Sequence, residues 1–236
     1  VSDGIWRRPV NVNLLEIGER KILFDVGSGL NFLPTLGELP AALEAADVDI
    51  SSITDVIFTH AHPDHIWGIL DDFDDLLMPD AAYHISQAEW DFWDSDDALT
   101  MMVPGRESFA VGAKSRFDKL RDQISFFKGG DEILSDIEAV DTAGHTPGHV
   151  SFLIHNAAGP VLIAGDALTH PIISIEHPEW HNPADMDREK AALTRKRLLD
   201  RLAVDKIGLA ATHLPAPGFG RVETNQSVWR YIAADS

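Results

Sequence analysis

Three imidazoles and a carboxylate fall within six positions in Thr59-His60-Ala61-His62-Pro63-Asp64-His65, directly after the apolar run Val56-Ile57-Phe58. In an extended chain, side chains at i and i+2 point to the same side. His60 and His62 can therefore grip one metal, while Asp64 and His65, at the start of the next turn, can face a second. A chance HxHxDH would arise about once in several hundred chains of this composition, so the motif is specific.

Further ligand types stand where strand-like runs meet loops. Gly144-His145-Thr146-Pro147-Gly148-His149 precedes one run, Gly165-Asp166 ends a second, and Thr212-His213 ends a third. Side chains at the strand ends of a sheet converge on one rim, which lets residues 150 positions apart share a site. The chain has no cysteine, so thiolate nucleophiles and Cys-type zinc sites are excluded and any metal must sit on His and carboxylates. The net charge of −19 would repel a phosphate backbone, which argues against nucleic acid and anionic membrane as partners.

Short apolar runs over 10–17, 21–26, 55–59, 149–155, 161–164 and 207–211 read as strands, with a hairpin at Gly18-Glu19. Helices are expected over 39–46, 86–93, 107–123 and 187–203. In the last of these Ala192, Leu198, Leu199 and Leu202 form the apolar face, and Arg195, Lys196 and Arg201 are left for solvent or salt bridges. Strands and helices mixed without strict alternation predict an α+β layered sandwich, one domain over 1–236. No apolar run reaches the ~18 residues needed to cross a bilayer, and no signal peptide is visible. The expectation is a soluble chain with a trimmed start, cytoplasmic or periplasmic.

On these residues the chain resembles the metallo-β-lactamase superfamily of metal-dependent hydrolases, whose fold is a four-layer αββα sandwich. Its signature positions fall on Asp25, His60, His62, Asp64, His65, His145, Asp166 and His213, in order. The resemblance implies that His60, His62 and His145 hold a first metal, that Asp64, His65 and His213 hold a second, and that Asp166 bridges them. Two divalent ions, zinc by default with manganese, iron or cobalt as substitutes, would then carry a bridging hydroxide as nucleophile. Asp166 and Asp64 are the carboxylates assigned to the chemistry. Asp25 and His149 are assigned to support, orienting the ligands rather than binding metal.

Within the superfamily the chain is similar to the methyl parathion hydrolase branch. The match rests on Leu23-Phe24-Asp25-Val26-Gly27, Phe32 with Pro34-Thr35-Leu36-Gly37, Asp91-Phe92-Trp93, and Thr212-His213-Leu214 with Pro217-Gly218-Phe219-Gly220. It implies that Phe32 and Trp93 line the substrate pocket. Trp67 joins them where the branch has a small residue, and residues 95–127 follow no pattern of the branch. The implied activity is hydrolysis of a small ester-like bond, an organophosphate triester or an aryl or carboxylic ester. A lactonase on the same site is the alternative, and a mononuclear iron sulfur dioxygenase a more distant one. The expected partner is a small molecule, with room for a homodimer. His170, four residues after Asp166, is a further candidate for the cleft, and the acidic run Asp71 to Asp75 reads as a solvated face.

Overall fold

A computed structural model describes residues 8–225 and 228–235. The chain divides into two compact units, one over 12–128 and the other combining 8–11 with 129–235. Each is built on one mixed β-sheet.

The sheet of the 12–128 unit has five strands in the order β1 (Asn13–Ile17), β2 (Arg20–Phe24), β3 (Asp55–Ile57), β4 (Ala82–Ser86), β5 (Ile124–Phe127). β1 and β2 form the expected hairpin around Gly18, and the remaining pairings are parallel. Parallel strands are buried on both faces and read as unbroken apolar runs. Ile22, Leu23, Phe24, Val56, Ile57 and Tyr83 are accordingly all inaccessible or nearly so. Helices α1 (Leu39–Ala45), α2 (Pro63–Ile66), α3 (Gln87–Trp93), α4 (Asp96–Met101) and α5 (Glu107–Leu120) connect the strands. α3 starts where Ser86 Oγ accepts the Glu89 N–H, a hydroxyl cap on an exposed backbone donor. α5 buries Ala110, Ala113, Phe117 and Leu120 at helical spacing, and Phe117 stacks on Trp90 at 4.1 Å.

The second unit carries seven strands in the order β12-β11-β10-β9-β8-β7-β6. In sequence these are β6 (Glu132–Leu134), β7 (Ile137–Asp141), β8 (Val150–Ile154), β9 (Val161–Ile163), β10 (Gly208–Ala210), β11 (Phe219–Asn225) and β12 (Val228–Ala233). The β9/β10 pair is parallel and is joined through helix α6 (Arg188–Val204); its neighbours are antiparallel. Leu198, Leu199 and Leu202 of α6 pack with Leu153, Leu162, Leu209 and Leu214 in one apolar cluster.

Strands β4, β5, β6, β7, β11 and β12 and helix α4 lie outside the ranges expected from the sequence, and two of the expected helices differ in detail. The segment 107–123 stops being helical at Leu120, and β5 follows it. The inner face of α6 is Ala191, Thr194, Arg195, Leu198, Leu199 and Leu202, so Ala192 is not on it, and Arg195, 2% exposed, takes the expected salt bridge in the interior instead of facing solvent. A buried guanidinium is tolerated only with its donors engaged. Arg195 has an ion pair and two carbonyl acceptors, described below. No helix among the described residues is long and apolar enough to cross a membrane.

Candidate metal centre

In the 12–128 unit, β3 delivers the motif. Asp25 follows β2 in the left-handed region, φ 62°, where a short polar side chain is tolerated. Its Oδ1 accepts the Thr59 N–H at 2.8 Å, and its Oδ2 accepts both Thr59 Oγ1–H and His65 Nδ1–H at 2.8 Å. A carboxylate only accepts, so His65 carries its hydrogen on Nδ1 and its lone pair on Nε2, the nitrogen that could ligate a metal. The same reasoning reaches His60. Thr59 has spent its hydroxyl hydrogen on Asp25, so Oγ1 accepts from His60 Nδ1 at 3.0 Å and His60 also presents Nε2. That Nε2 faces His62 Nδ1 at 3.0 Å. Two nitrogens held tetrahedrally on one zinc at about 2.0–2.1 Å would stand roughly 3.3 Å apart. Asp64 opens α2 at the edge of this group and is half-buried.

An aromatic wall adjoins His62. Trp93 and Phe109 meet its ring edge-to-face at 5.6 and 5.7 Å, Phe32 meets Phe109 at 5.8 Å, and Trp67 meets Phe32 at 5.7 Å. Phe109 comes from the segment that resembled nothing, and sequence reasoning missed it. Phe32 is partly exposed, whereas Trp93 is fully buried and Trp67 is 8% exposed. The Trp67 indole lies against Gly112 of α5, with Arg116 over its face at 4.9 Å. Burial lowers the Arg116 pKa, against a weaker opposing pull from Asp74.

In the second unit, Asp166 stands between two imidazoles. Its Oδ2 is 3.3 Å from His145 Nε2, and its Oδ1 is 3.1 Å from His213 Nε2. Both rings again use Nδ1 as the donor, His145 to Asp185 Oδ1 at 3.0 Å and His213 to the Pro9 carbonyl at 2.6 Å. Asn11 secures that segment, its amide donating to the Ala211 and Leu214 carbonyls. His149 engages both nitrogens inside the unit. Nε2 accepts the Asp166 N–H at 3.1 Å, and Nδ1 starts a chain through Thr142 and Ser151 that ends on the Ala164 carbonyl. His170 accepts the Ile172 and Ile173 N–H groups through Nδ1 and so caps the turn Pro171–Glu176.

Asp185 and Arg195 were not anticipated. Arg195 Nη1 donates to Asp185 Oδ2 at 2.8 Å, its Nε to the Pro178 carbonyl and its Nη2 to the Trp180 carbonyl. Burial pushes the Asp185 pKa up, but its bonds and charges from His145 and Arg195 outweigh that and hold it below the usual carboxylate value.

The donor chemistry fits a divalent metal. His60, His65, His145 and His213 each have Nδ1 committed to an acceptor and Nε2 turned the other way, the pattern of metal-ligating imidazoles. His60, His62 and His65 are buried in one unit and His145, Asp166 and His213 in the other, and all are of the residue types that can hold such an ion.

The profile of the metallo-beta-lactamase superfamily matches residues 5–223, and the chain belongs to that superfamily of metal-dependent hydrolases, with its α+β fold. A protein of Bacillus subtilis (strain 168), YobT, of uncharacterized function, is 29% identical over 199 residues, 82% of this chain and 79% of its own. Among solved structures, the hydrolase AbOPH of the beta-lactamase superfamily has a TM-score of 0.89 at 26% identity, covering 96% of this chain and 80% of its own. AidC, a dizinc quorum-quenching lactonase solved with the product N-hexanoyl-L-homoserine, has a TM-score of 0.88 at 28% identity and the same coverage.

Proposed function

We propose that His60, His62, Asp64, His65, His145, Asp166 and His213 together hold two divalent ions, and that the protein hydrolyses neutral cyclic or aryl esters, lactones first among them. The observation that carries this reading is the shared orientation of four buried imidazoles, Nδ1 braced and Nε2 presented, with a carboxylate between two of them. When bound, such ions polarise the carbonyl and lower the pKa of water towards ~7. The chain's own residues do the rest. Asp166, facing one imidazole with each oxygen, sets the spacing of the two ligand sets and can hold a proton at Oδ1 or Oδ2 once a bond has broken.

The walls supply the specificity. Phe32 and Phe109, both partly exposed, offer stacking and desolvation rather than charge, with Trp67 and Trp93 packed beside them, which favours an uncharged acyl or aryl group over a phosphate monoester. The likeness to the lactonase AidC at 28% identity favours a lactone. The resemblance of Phe32 and Trp93 to pocket positions of the methyl parathion hydrolase branch keeps phosphotriesters as the second reading. The deciding experiment follows ring opening of an N-acyl homoserine lactone and a simple γ-lactone beside an aryl acetate and a diethyl aryl phosphate. It uses protein of measured metal content, before and after chelation. Chelator-sensitive turnover of lactones above the other two supports the first reading, preference for the phosphate transfers it to the second, and no chelator-sensitive turnover overturns both.

A further inference from the structure

We propose that Asp185 and Arg195 are positioning residues for His145, through which helix α6 governs how tightly the ligand set containing His145 binds its divalent cation. The inference rests on the dinuclear reading above. His145 and its flanking backbone are fixed to the start of α6 at several points. The Met186 N–H donates to the His145 carbonyl, the Asp187 N–H to the Gly144 carbonyl, and Thr194 Oγ1 to the Ala143 carbonyl. Gly144 (φ 137°) lies so close to the backbone of Ala191 that a Cβ there would approach Ala191 Cα to 2.6 Å. The backbone of His145 is thereby located, and Asp185 locates the ring.

Asp185 divides its oxygens between two partners. Oδ1 accepts from His145 Nδ1 and Oδ2 from Arg195, and all three side chains are at most 3% exposed. A structural ion pair would need only the second contact. The first makes the imidazole a stronger base and prevents rotation of the ring, which is what ligand orientation requires. Arg195 touches none of the proposed ligands. Its three donors tie Asp185 to the Pro178 and Trp180 carbonyls, and this directional fork is one that lysine lacks. The braces also differ in charge across the site. His65 leans on the Asp25 carboxylate and His145 on a carboxylate neutralised by a guanidinium, while His213 leans on the neutral Pro9 carbonyl.

The test measures Zn2+ affinity by competition with a chromophoric chelator, and the visible spectrum after Co2+ substitution, in wild type, Asp185→Ala, Asp185→Asn and Arg195→Lys. Wild type should bind two equivalents. In Asp185→Ala one equivalent should weaken by about 10–100-fold with its Co2+ band shifted, while the other is unchanged. Asp185→Asn keeps an acceptor for His145 Nδ1–H without the charge, and it should lose less. Arg195→Lys should fall between Asp185→Asn and wild type. Should Asp185→Ala fail to fold, the isosteric Asn variant and Arg195→Lys decide. Wild-type affinity for both equivalents in these variants, or equal weakening of both, overturns the proposal even if their melting points fall. A wild-type protein that binds no second equivalent overturns the dinuclear reading instead.

Discussion

The indole N–H of Trp93 donates to Glu89 Oε1 at 2.6 Å, and the same oxygen accepts the N–H of Ala61, the residue between His60 and His62. Trp93 is therefore held from behind while its ring edge bears on His62. Its polar atom is already committed and its surface fully buried, so it acts through packing. Trp93→Ala should destabilise the fold by about 3–5 kcal/mol. Phe32→Ala, at a partly exposed ring, should leave stability nearly unchanged and raise KM for aryl substrates with little change in kcat. Denaturant midpoints and steady-state kinetics on the two variants check the contrast. A stable Trp93→Ala with a raised KM would make it a substrate contact.

Asp166→Ala should abolish turnover more severely than Asp25→Ala. Asp166 confronts two imidazoles directly, whereas Asp25 acts by fixing Thr59 and His65. Loss of such a supporting bond typically costs about 10–100-fold. The comparison requires kcat at matched metal content, and comparable losses would refute the distinction.

Gly112→Ala should displace Trp67. The added methyl would collide with the indole, over which Arg116 of the same helix also lies, so the ring cannot yield without moving the wall. Overpacking of this kind costs about 1–3 kcal/mol. The expected signs are a lowered melting temperature, altered tryptophan fluorescence and a shift in preference among acyl chain lengths. A variant with unchanged fluorescence and preference would dissociate Gly112 from the wall.

Acid should weaken the sheet of the 12–128 unit through His84. Burial lowers the His84 pKa, outweighing the opposing pull of Asp55 at 3.2 Å. The unfolded chain then takes up its proton first. Stability is complete above the ordinary histidine value of about 6.5 and falls as the pH drops from there through the lower folded pKa. Burial raises the Asp55 pKa, but bonds from Thr54, Arg20 and His84 bring it below 3.8, so it adds a loss of the same sign only in stronger acid. Melting temperatures of metal-loaded wild type and His84→Gln between pH 7.5 and 5 provide the check. The variant should lose less on acidification, and parallel curves would exclude His84.

The ligand motif and the strands that deliver it were readable because buried parallel strands are unbroken apolar runs and the proposed metal ligands sit at their ends. β3, β9 and β10 fall within the expected ranges for this reason, and β8, antiparallel to both neighbours, does so because it too is buried along its whole length. β7 and β11 escaped because charged residues interrupt their apolar alternation, as in Ile137-Glu-Ala-Val-Asp141. β5 escaped because its residues continue the apolar character of α5. Asp185 left no trace at all. It lies 40 residues from His145 in an irregular stretch, and only tertiary contact gives it a role. Of the two fates the sequence left open for Arg195, the salt bridge holds and solvent does not, and its partners could not be named because they lie on a loop that helical periodicity does not describe.

The hydrogen bond from His213 to the Pro9 carbonyl extends the site's requirements to the residues that precede β1. Residues 8–11 form no strand, and they could be removed without touching either sheet. Yet the carbonyl that keeps His213 in one tautomer would leave with them, as would the Asn11 amide that ties this stretch to residues 211 and 214. A version starting at residue 12 should fold and still hold its metal more weakly, so a fusion or cut near this end would register as lost activity although no ligand had been altered.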